Sequence, residues 1–260
     1  MKKRALVGIV IVCGGILAGS VLYAAFRPAP ARAPAGAPDT VGASGAGLPA
    51  LGYTEHGPYY DIAANYPTTT PLLASVGASQ NAAAIALMRG FIGSTIEEFK
   101  AGGNPASSTP AAEVQGRREA LQINYLISSS PRTVSYIFTV YEDTLGAHEN
   151  IFFHTFTFDT KTGALLLLAD IFAPQAPYLD TLSSISRARL PGIIGGGYAD
   201  TAFIRSGTTP EDKNFANFFV DNSMLTLLFP PYQVGPYAAG PQTLSIPLST
   251  VKDILKPEYR

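Results

Sequence analysis

The sequence is poor in the residue types that most often build reactive sites. Its 260 residues contain no tryptophan, one cysteine and three histidines. The cysteine, Cys13, lies in an apolar run close to the N-terminus. The rest of the chain therefore has no disulfide, no thiol nucleophile and no cysteine-based metal site. Such a domain is stabilised by its core alone, and about 210 residues remain after the first 50 to build that core.

Charged residues are also scarce, at 14% of the chain. From residue 51 onward there are 13 lysines and arginines against 18 aspartates and glutamates, which gives a net charge of about −5. Domains that bind nucleic acid present a basic face to the phosphates. The composition therefore argues against nucleic acid as a partner, and it is compatible with a basic protein partner.

Motifs of metal binding and catalysis are missing as well. The histidines, at positions 56, 148 and 154, lack the His-Glu-x-x-His spacing of zinc enzymes, and there is no Gly-x-Ser-x-Gly motif. We therefore predict no metal, no cofactor and no enzymatic activity. One alternative stays open: Glu142, Asp143 or His148 could serve an envelope hydrolase that acts on peptidoglycan. Such an enzyme requires a concave pocket that gathers these side chains.

A long apolar run lies at the N-terminus. Lys2, Lys3 and Arg4 precede residues 5–26, which are 22 residues without a charge. That length spans about 30 Å of hydrocarbon as a helix. Basic residues hold their end of a span in the cytoplasm, so residues 1–4 are predicted to be a cytoplasmic stub and the chain after the span to lie outside.

Two other interpretations of this run compete with an uncleaved anchor. A cleaved signal peptide is compatible with Ala31 and Ala33 before the cut, but Pro34 would follow the cut and is unfavourable there. A lipoprotein needs a small residue before its cysteine, and Val12 occupies that position. We therefore predict a single-pass protein of the bacterial cell membrane, anchored through residues 5–26. A Pro-, Ala- and Gly-rich linker follows over residues 27–50.

Hydrophobic periodicity divides the remaining chain into strands and helices. Apolar residues recur every three or four positions over residues 79–100 and 178–190, which indicates two helices. Strand patterns occupy residues 53–66, 120–129, 133–141, 151–158, 164–169, 215–220, 224–229 and 243–246. A short helix is predicted at 248–255, and residues 191–213 are predicted to be irregular. The mixture indicates an α+β fold, a mostly antiparallel sheet with a few covering helices. We assign an N-terminal subdomain to 51–116 and a C-terminal subdomain to 117–260.

The loop before the last predicted strand is the best local candidate for a binding site. It carries Tyr232 and Tyr237 between prolines, which fix the backbone φ angle and make the loop stiff. Rigid aromatic side chains lose little entropy on binding and are frequent interface anchors. We predict that Pro231, Tyr232, Gln233, Pro236 and Tyr237 contact a ligand. In the alternative, the tyrosines pack into the core and the prolines only shape the connection.

A series of short motifs resembles a known family. They are Tyr66-Pro67, Gly146-Ala147-His148, Phe158-Asp159 with Thr162-Gly163, Asp170-Ile171-Phe172, Asn214-Phe215 and Phe229-Pro230-Pro231-Tyr232-Gln233-Val234 through Gly240. In order and spacing they resemble the extracytoplasmic domain family of the bacterial anti-sigma-V factor RsiV and of the N-terminal region of the peptidoglycan deacetylase PdaC. The resemblance covers about residues 52–256.

The resemblance implies a tethered binding domain. In the anti-sigma-V factor this domain is a receptor that binds lysozyme, so lysozyme, another envelope protein or peptidoglycan is the implied ligand. It also adds His148 to the predicted binding residues, although Leu145 and Glu149 stand where the family tends to have glycine or small residues. The four-residue stub and the end of the chain at Arg260 lead us to expect neither a sigma-binding segment nor a deacetylase module. A structural envelope protein, self-associating through an apolar patch or a free sheet edge, is a further alternative.

Overall fold

The computed structural model describes residues 50–68, 76–102, 118–195 and 197–260. The predicted stub, anchor and linker lie outside these residues, except for Ala50 at the end of the linker. Within the described part, no helix combines the length and the apolar character that a membrane span requires.

The larger of the two sheets in the described part has six strands, arranged in chain order. They are β1 (Ala50–His56), β2 (Tyr60–Pro67), β3 (Glu119–Ser129), β4 (Thr133–Asp143), β5 (Asn150–Asp159) and β6 (Leu165–Leu166). Neighbouring strands are antiparallel except β2 and β3, which are parallel. Parallel strands need a long crossover connection. Helix α1 (Ala78–Gly102) lies in that connection.

The smaller sheet is antiparallel and consists of β7 (Phe218–Val220), β8 (Met224–Phe229) and β9 (Gln242–Pro247). Three α-helices accompany it: α2 (Tyr178–Ile194), α3 (Thr201–Gly207) and α4 (Leu248–Val251). Short 3-10 turns occur at Leu168–Ile171, Asp212–Phe215, Tyr237–Ala239, Lys252–Ile254 and Pro257–Tyr259. The predicted α+β class, rich in antiparallel strand pairs and with a few helices, is confirmed.

Each sheet has its own hydrophobic core. Helix α1 covers the large sheet through the predicted stripe, in which Met88, Ile92, Ile96 and Phe99 are buried. They pack with sheet residues that include Ile62, Leu121, Ile123, Val134, Tyr136 and Phe138. The second core joins α2 and α3 to the small sheet through residues that include Leu182, Leu190, Ile204, Leu225, Leu227 and Leu244. Helical and strand periodicities thus direct the apolar residues of each element towards one side.

The two sheets meet through hydroxyl groups rather than through strand pairing. Thr157 of β5 donates to the carbonyl oxygen of Phe218 at 3.2 Å, and Thr133 of β4 donates to that of Val220 at 3.2 Å. The backbone N–H of Phe218 donates to Oγ1 of Thr155 at 3.1 Å. Because β7 is an edge strand, these backbone groups would otherwise lack a partner strand. Threonines of the large sheet therefore satisfy the edge of the small one.

A buried carboxylate fastens the end of the chain to the large sheet. Oδ2 of Asp159 accepts from Arg132 Nε at 2.6 Å and from the hydroxyl of Tyr259 at 3.3 Å. Its Oδ1 accepts from the backbone N–H groups of Lys161 and Thr162 at 2.8 and 2.9 Å. Burial alone would raise the pKa of Asp159, but these hydrogen bonds outweigh burial and hold that pKa below its usual range. The carboxylate is therefore ionised at neutral pH.

Several predicted elements differ from those observed. Residues 53–66 form the hairpin β1–β2 instead of one strand, because the chain reverses at Gly57, whose N–H donates to the carbonyl oxygen of Tyr60 at 2.9 Å. Residues 164–169 were predicted to be a buried strand, but only Leu165 and Leu166 pair with β5, and Leu167 is 67% exposed. The chain leaves the sheet there for a 3-10 turn.

The region predicted to be irregular, residues 191–213, is mostly helical. Helix α2 continues through Pro191 to Ile194, and α3 follows at Thr201–Gly207. Asp200 caps α3, since its Oδ1 accepts from the N–H groups of Ala202 and Phe203 at 2.6 and 3.2 Å. The segment was predicted to be irregular because of its glycines, and the capping signal of Asp200 was not used. The predicted strand at 215–220 is also shorter, with β7 limited to Phe218–Val220.

The proposed division between residues 116 and 117 does not separate the sheets. Strand β2 pairs with β3, so the large sheet contains strands from both sides of that boundary. The boundary between the two cores lies further along the chain, between Phe158 and Leu168. The first core uses residues from Ile62 to Phe158, and the second uses residues from Leu168 to Tyr259.

Candidate binding site

The predicted binding loop, residues 230–240, connects β8 to β9 and is called the aromatic loop below. Its first turn is closed by the N–H of Gln233, which donates to the carbonyl oxygen of Pro230 at 3.2 Å. Tyr232 lies in that turn with φ 69°, in the left-handed region that few non-glycine residues adopt. Pro236 then precedes the 3-10 turn Tyr237–Ala239. The loop therefore has a defined backbone conformation.

The aromatic loop is anchored to the helical side of the small sheet. The side-chain amide of Gln233 donates to the carbonyl oxygens of Gly207 at 3.0 Å and Asn214 at 2.9 Å. Val234 is fully buried in the second core. Gly207 is so close that a Cβ atom there would lie 1.8 Å from the carbonyl oxygen of Gln233. Gln233, predicted to contact ligand, thus uses its amide to hold the loop.

Three of the predicted residues come together from two distant segments. His148 lies in the turn between β4 and β5, and its ring stacks on that of Tyr237 with the centroids 3.9 Å apart and the planes at 15°. Its Nε2 lies 2.7 Å from the hydroxyl of Tyr232. The ring centroids of Tyr232 and Tyr237 are 5.7 Å apart. We call these three residues the aromatic platform.

Hydrogen bonding fixes the direction of the contact between His148 and Tyr232. Nδ1 of His148 lies 3.0 Å from the backbone carbonyl oxygen of Glu149, which can only accept. Nδ1 therefore carries a proton, and in the neutral ring Nε2 is the acceptor. In that form of the ring, the hydroxyl of Tyr232 donates to Nε2. The ring of Tyr232 is held at both ends, by its backbone turn and by its hydroxyl, while 52% of the residue is exposed.

Burial and a neighbouring acid favour the neutral form of Tyr237. Partial burial, the charge of Glu149 and a hydrogen bond to the Glu149 side chain together raise the pKa of Tyr237 to about 12. Tyr237 is therefore neutral at physiological pH. Pro231 and Pro236 are half-buried beside the two tyrosines. The platform is thus a rigid, partly exposed group of rings next to a carboxylate.

The two carboxylates of the hydrolase alternative lie in different surroundings. Asp143 is buried and its Oδ1 accepts from the N–H of Leu145 at 2.8 Å, whereas Glu142 lies opposite Asn150 on the paired strands. A shallow surface cleft of about 450 Å³ within the described residues is lined by Leu248, Ser249, Lys252, Asp253 and Arg260, far along the chain from Glu142 and Asp143.

The other two histidines lie apart from the platform. His56 is on the β1–β2 hairpin with Nδ1 2.8 Å from Asp61, and His154 stacks on Phe91 of α1 at 4.3 Å between centroids. Burial lowers the pKa of His154. In the part of the chain that is described, no three His, Cys, Asp or Glu side chains are grouped as a metal site requires.

Sequence reasoning missed the apolar surface next to the aromatic loop. Ile193, Tyr198 and Phe203 are exposed at 42%, 45% and 37%, at the end of α2, in the following turn and on α3. A Cβ atom at Gly235 would lie 3.9 Å from Cδ1 of Ile194 and 3.8 Å from the carbonyl oxygen of Tyr198. The contact brings this segment against the aromatic loop. These exposed apolar residues were not predicted, because residues 191–213 were predicted to be irregular.

Comparison with known proteins agrees with this architecture. Residues 169–249 match the family model DUF3298, described as a protein family of unknown function. This segment contains the second core's helices α2 and α3, the small sheet and the aromatic loop. Over these residues the chain is therefore similar to the DUF3298 family. His148 lies outside the matched segment, so the platform joins that segment to the β4–β5 turn before it.

The peptidoglycan-N-acetylmuramic acid deacetylase PdaC of Bacillus subtilis is 34% identical over 144 residues. The match covers 55% of this chain but only 31% of PdaC, so the chain spans less than a third of that relative's length. The sequence resemblance to the PdaC family is confirmed.

Two solved structures of the DUF3298 family align with most of this chain. A member from Bacteroides fragilis NCTC 9343 aligns with a TM-score of 0.54 and 17% identity, covering 81% of this chain and 93% of that one. A DUF3298 family protein from Pseudomonas aeruginosa PAO1 gives a TM-score of 0.49 and 16% identity over 82% of this chain and 96% of that one. At such identities the first alignment supports the fold alone.

Proposed function

We propose that this chain is an extracytoplasmic binding domain of the bacterial cell envelope, held at the membrane through residues 5–26. Its ligand is lysozyme, another envelope protein or an envelope glycan, and its binding surface is the aromatic platform. The observation that supports binding most directly is the exposed ring of Tyr232, fixed by a left-handed backbone and by the hydrogen bond to His148. Such preorganisation reduces the entropy lost on association.

The kinship with PdaC supports an envelope setting for this proposal. PdaC is named for its action on peptidoglycan, and the shared segment covers about half of the present chain. A binding role also fits the chemistry of the platform, which presents ring faces and hydroxyls next to an open surface. In the hydrolase alternative, the Asp143 carboxylate already accepts a hydrogen bond from the N–H of Leu145, and no specific observation favours that function.

A binding assay with two separate baits tests the proposal. The whole 260-residue chain is incubated with immobilised lysozyme and, separately, with purified peptidoglycan. We expect saturable binding to one bait, and loss of that binding in the double variant Tyr232→Ala, Tyr237→Ala while the far-UV circular dichroism spectrum is retained. Tyr59→Ala is the matched control, since Tyr59 is 46% exposed on the β1–β2 hairpin.

Each outcome of that assay bears on a different part of the proposal. Saturable binding that survives the double substitution would remove the aromatic platform from the account. Binding to neither bait would remove both named ligands. A concentration-dependent rise in mass, measured by light scattering without any bait, would instead favour the structural alternative in which the chain self-associates.

A further inference from the structure

The electrostatic surroundings of the aromatic platform are acidic. Glu149 follows His148 directly in the chain, its backbone carbonyl oxygen lies 3.0 Å from Nδ1 of His148, and its carboxylate helps to raise the pKa of Tyr237. No lysine or arginine of the described residues forms an ion pair with Glu149. A carboxylate that forms no ion pair within the described residues therefore lies close to the exposed rings.

The rings themselves favour the same kind of ligand. The face of an aromatic ring carries partial negative charge, so it attracts cations and the positively polarised C–H groups of a saturated ring. Tyr232 offers such a face at 52% exposure. Its hydroxyl proton is committed to Nε2 of His148, so the remaining lone pairs of that oxygen are acceptors. Ring faces, a hydroxyl acceptor and a carboxylate together match a ligand that is cyclic, hydroxylated and positively charged.

We propose that the aromatic platform binds an amino sugar whose amino group is free, as in a de-N-acetylated envelope glycan. The sugar ring lies over Tyr232, and its ammonium group is directed to Glu149. The inference rests on the proposed binding function and narrows its ligand. An N-acetylated sugar can still stack on Tyr232 but offers no charge to Glu149, so affinity falls when the amino group is acetylated.

Chito-oligosaccharides provide the direct probe, because they can be obtained at equal length in fully N-acetylated and fully de-N-acetylated forms. Their affinities for the whole chain are measured by isothermal titration calorimetry at low salt and at a pH where the amino groups are charged. A surface ion pair between the ammonium group and Glu149 corresponds to a preference of up to about fivefold for the de-N-acetylated form. Added salt reduces the preference.

Variants at two positions separate the preference, assigned to Glu149, from the binding shared by both sugars, assigned to Tyr232. Glu149→Gln should remove most of the preference while keeping the weaker binding shared by both sugars. Its matched control, Glu98→Gln on the exposed side of α1, should change neither affinity. Tyr232→Phe keeps the ring and should retain the preference, whereas Tyr232→Ala should lose binding of both sugars.

The results that would overturn the inference are distinct from failure of the proposed function. Equal affinity for the two sugars, or a preference that persists in Glu149→Gln, would exclude the carboxylate as the determinant. No binding of either sugar, combined with binding of lysozyme that depends on Tyr232, would overturn the amino-sugar inference and leave the binding domain intact. Far-UV circular dichroism on every variant ensures that lost binding does not come from unfolding.

Discussion

Nε2 of His148 lies 2.7 Å from the hydroxyl of Tyr232, although 84 residues separate the two in the chain. His148 belongs to the turn between two strands of the large sheet, and Tyr232 belongs to the loop between two strands of the small sheet. Their contact therefore links the sheets at a second place, away from the threonines that join β7 to β4 and β5. The platform exists only when both cores are folded and correctly placed.

The ionisation of Tyr237 gives a direct test of the platform's surroundings. Its pKa of about 12 exceeds the ordinary value of about 10, first because of burial and then because of Glu149. A raised pKa means that the neutral hydroxyl stabilises the fold below about pH 10, and that this stabilisation is lost as the pH rises through about 12. We expect Glu149→Gln to lower the pKa of Tyr237 only in part, since burial remains. Carbon-13 NMR of labelled tyrosine measures the titration.

The comparison variant for that titration is Glu98→Gln, which should leave the pKa of Tyr237 unchanged. A Tyr237 pKa that is the same in the wild type and in Glu149→Gln would show that the carboxylate does not act on the ring. It would also weaken the amino-sugar inference, which depends on the same charge.

The close approach of α3 to the aromatic loop predicts a sharp effect of one methyl group. In Gly207→Ala the new Cβ would lie 1.8 Å from the carbonyl oxygen of Gln233, so the loop backbone must move. We expect a loss of about 3 kcal/mol in the free energy of unfolding, at the upper end for overpacking. Loss of platform-dependent binding should accompany it. Urea denaturation of both proteins gives the stability difference.

Gly90 supplies the matched control for that substitution. It lies on the exposed side of α1, and a Cβ atom there would meet nothing within 4 Å. Gly90→Ala should therefore stabilise the protein by about 0.5–1 kcal/mol, because alanine loses less backbone entropy in a helix. Similar stability changes in the two alanine variants would refute the close contact.

The elements predicted best from the sequence are those whose periodicity is long and regular. The stripe on α1 and the alternation in β3 and β4 each place apolar residues on one side, and the structure buries them there. The boundaries failed where a local signal overrode the periodicity. Gly57-Pro58 broke a predicted strand into a hairpin, and the Asp200 cap made a helix in a glycine-rich region.

Only part of the aromatic platform could be predicted from the sequence. Prolines beside Tyr232 and Tyr237 indicated a stiff aromatic loop, and resemblance to a family added His148. That His148 would stack on Tyr237 depends on the docking of the two sheets. This docking rests on hydroxyl-to-backbone contacts such as Thr157 to Phe218, for which a sequence has no periodic signature. The role of Gln233 as an anchor depends on the same tertiary placement.

The contacts between the two sheets predict that threonine hydroxyls of the large sheet differ in their contribution to stability. Thr157→Val keeps the side-chain volume but leaves the carbonyl oxygen of Phe218 and the hydroxyl of Ser135 without their partner, which lies at 3.2 and 2.9 Å respectively. Leaving buried polar groups unsatisfied costs about 1–3 kcal/mol. We expect a loss of that size in the free energy of unfolding, measured by urea denaturation.

Thr139 on β4 provides the control for this prediction. It is 8% exposed, and within the described residues its hydroxyl has no hydrogen-bond partner. Thr139→Val therefore removes an unsatisfied group and should be neutral or stabilising. If Thr157→Val were equally harmless, the threonine contacts would not be what joins the small sheet to the large one.

The ionised Asp159 carboxylate should make the free energy of unfolding fall at acidic pH. Its folded pKa lies below the value of about 3.9 expected in the unfolded chain, because the hydrogen bonds from Arg132 and the backbone outweigh burial. The stabilisation is therefore complete above about pH 4 and is lost as the pH falls through the folded pKa. Asp159→Asn removes this contribution and leaves Arg132 without its carboxylate. The aspartate side chain is 4% exposed and the arginine side chain 22%, so we expect a loss of about 3 kcal/mol at neutral pH.

Urea denaturation between neutral and acidic pH separates the ionic contribution from a general loss of packing. The stability curves of the wild type and Asp159→Asn should approach each other as the pH falls, because the wild type loses what the variant never had. Asp253→Asn, at an exposed position near the end of the chain, should follow the wild-type curve. Parallel curves for the wild type and Asp159→Asn would mean that the carboxylate charge contributes nothing, and that Arg132 and Tyr259 are held by packing alone.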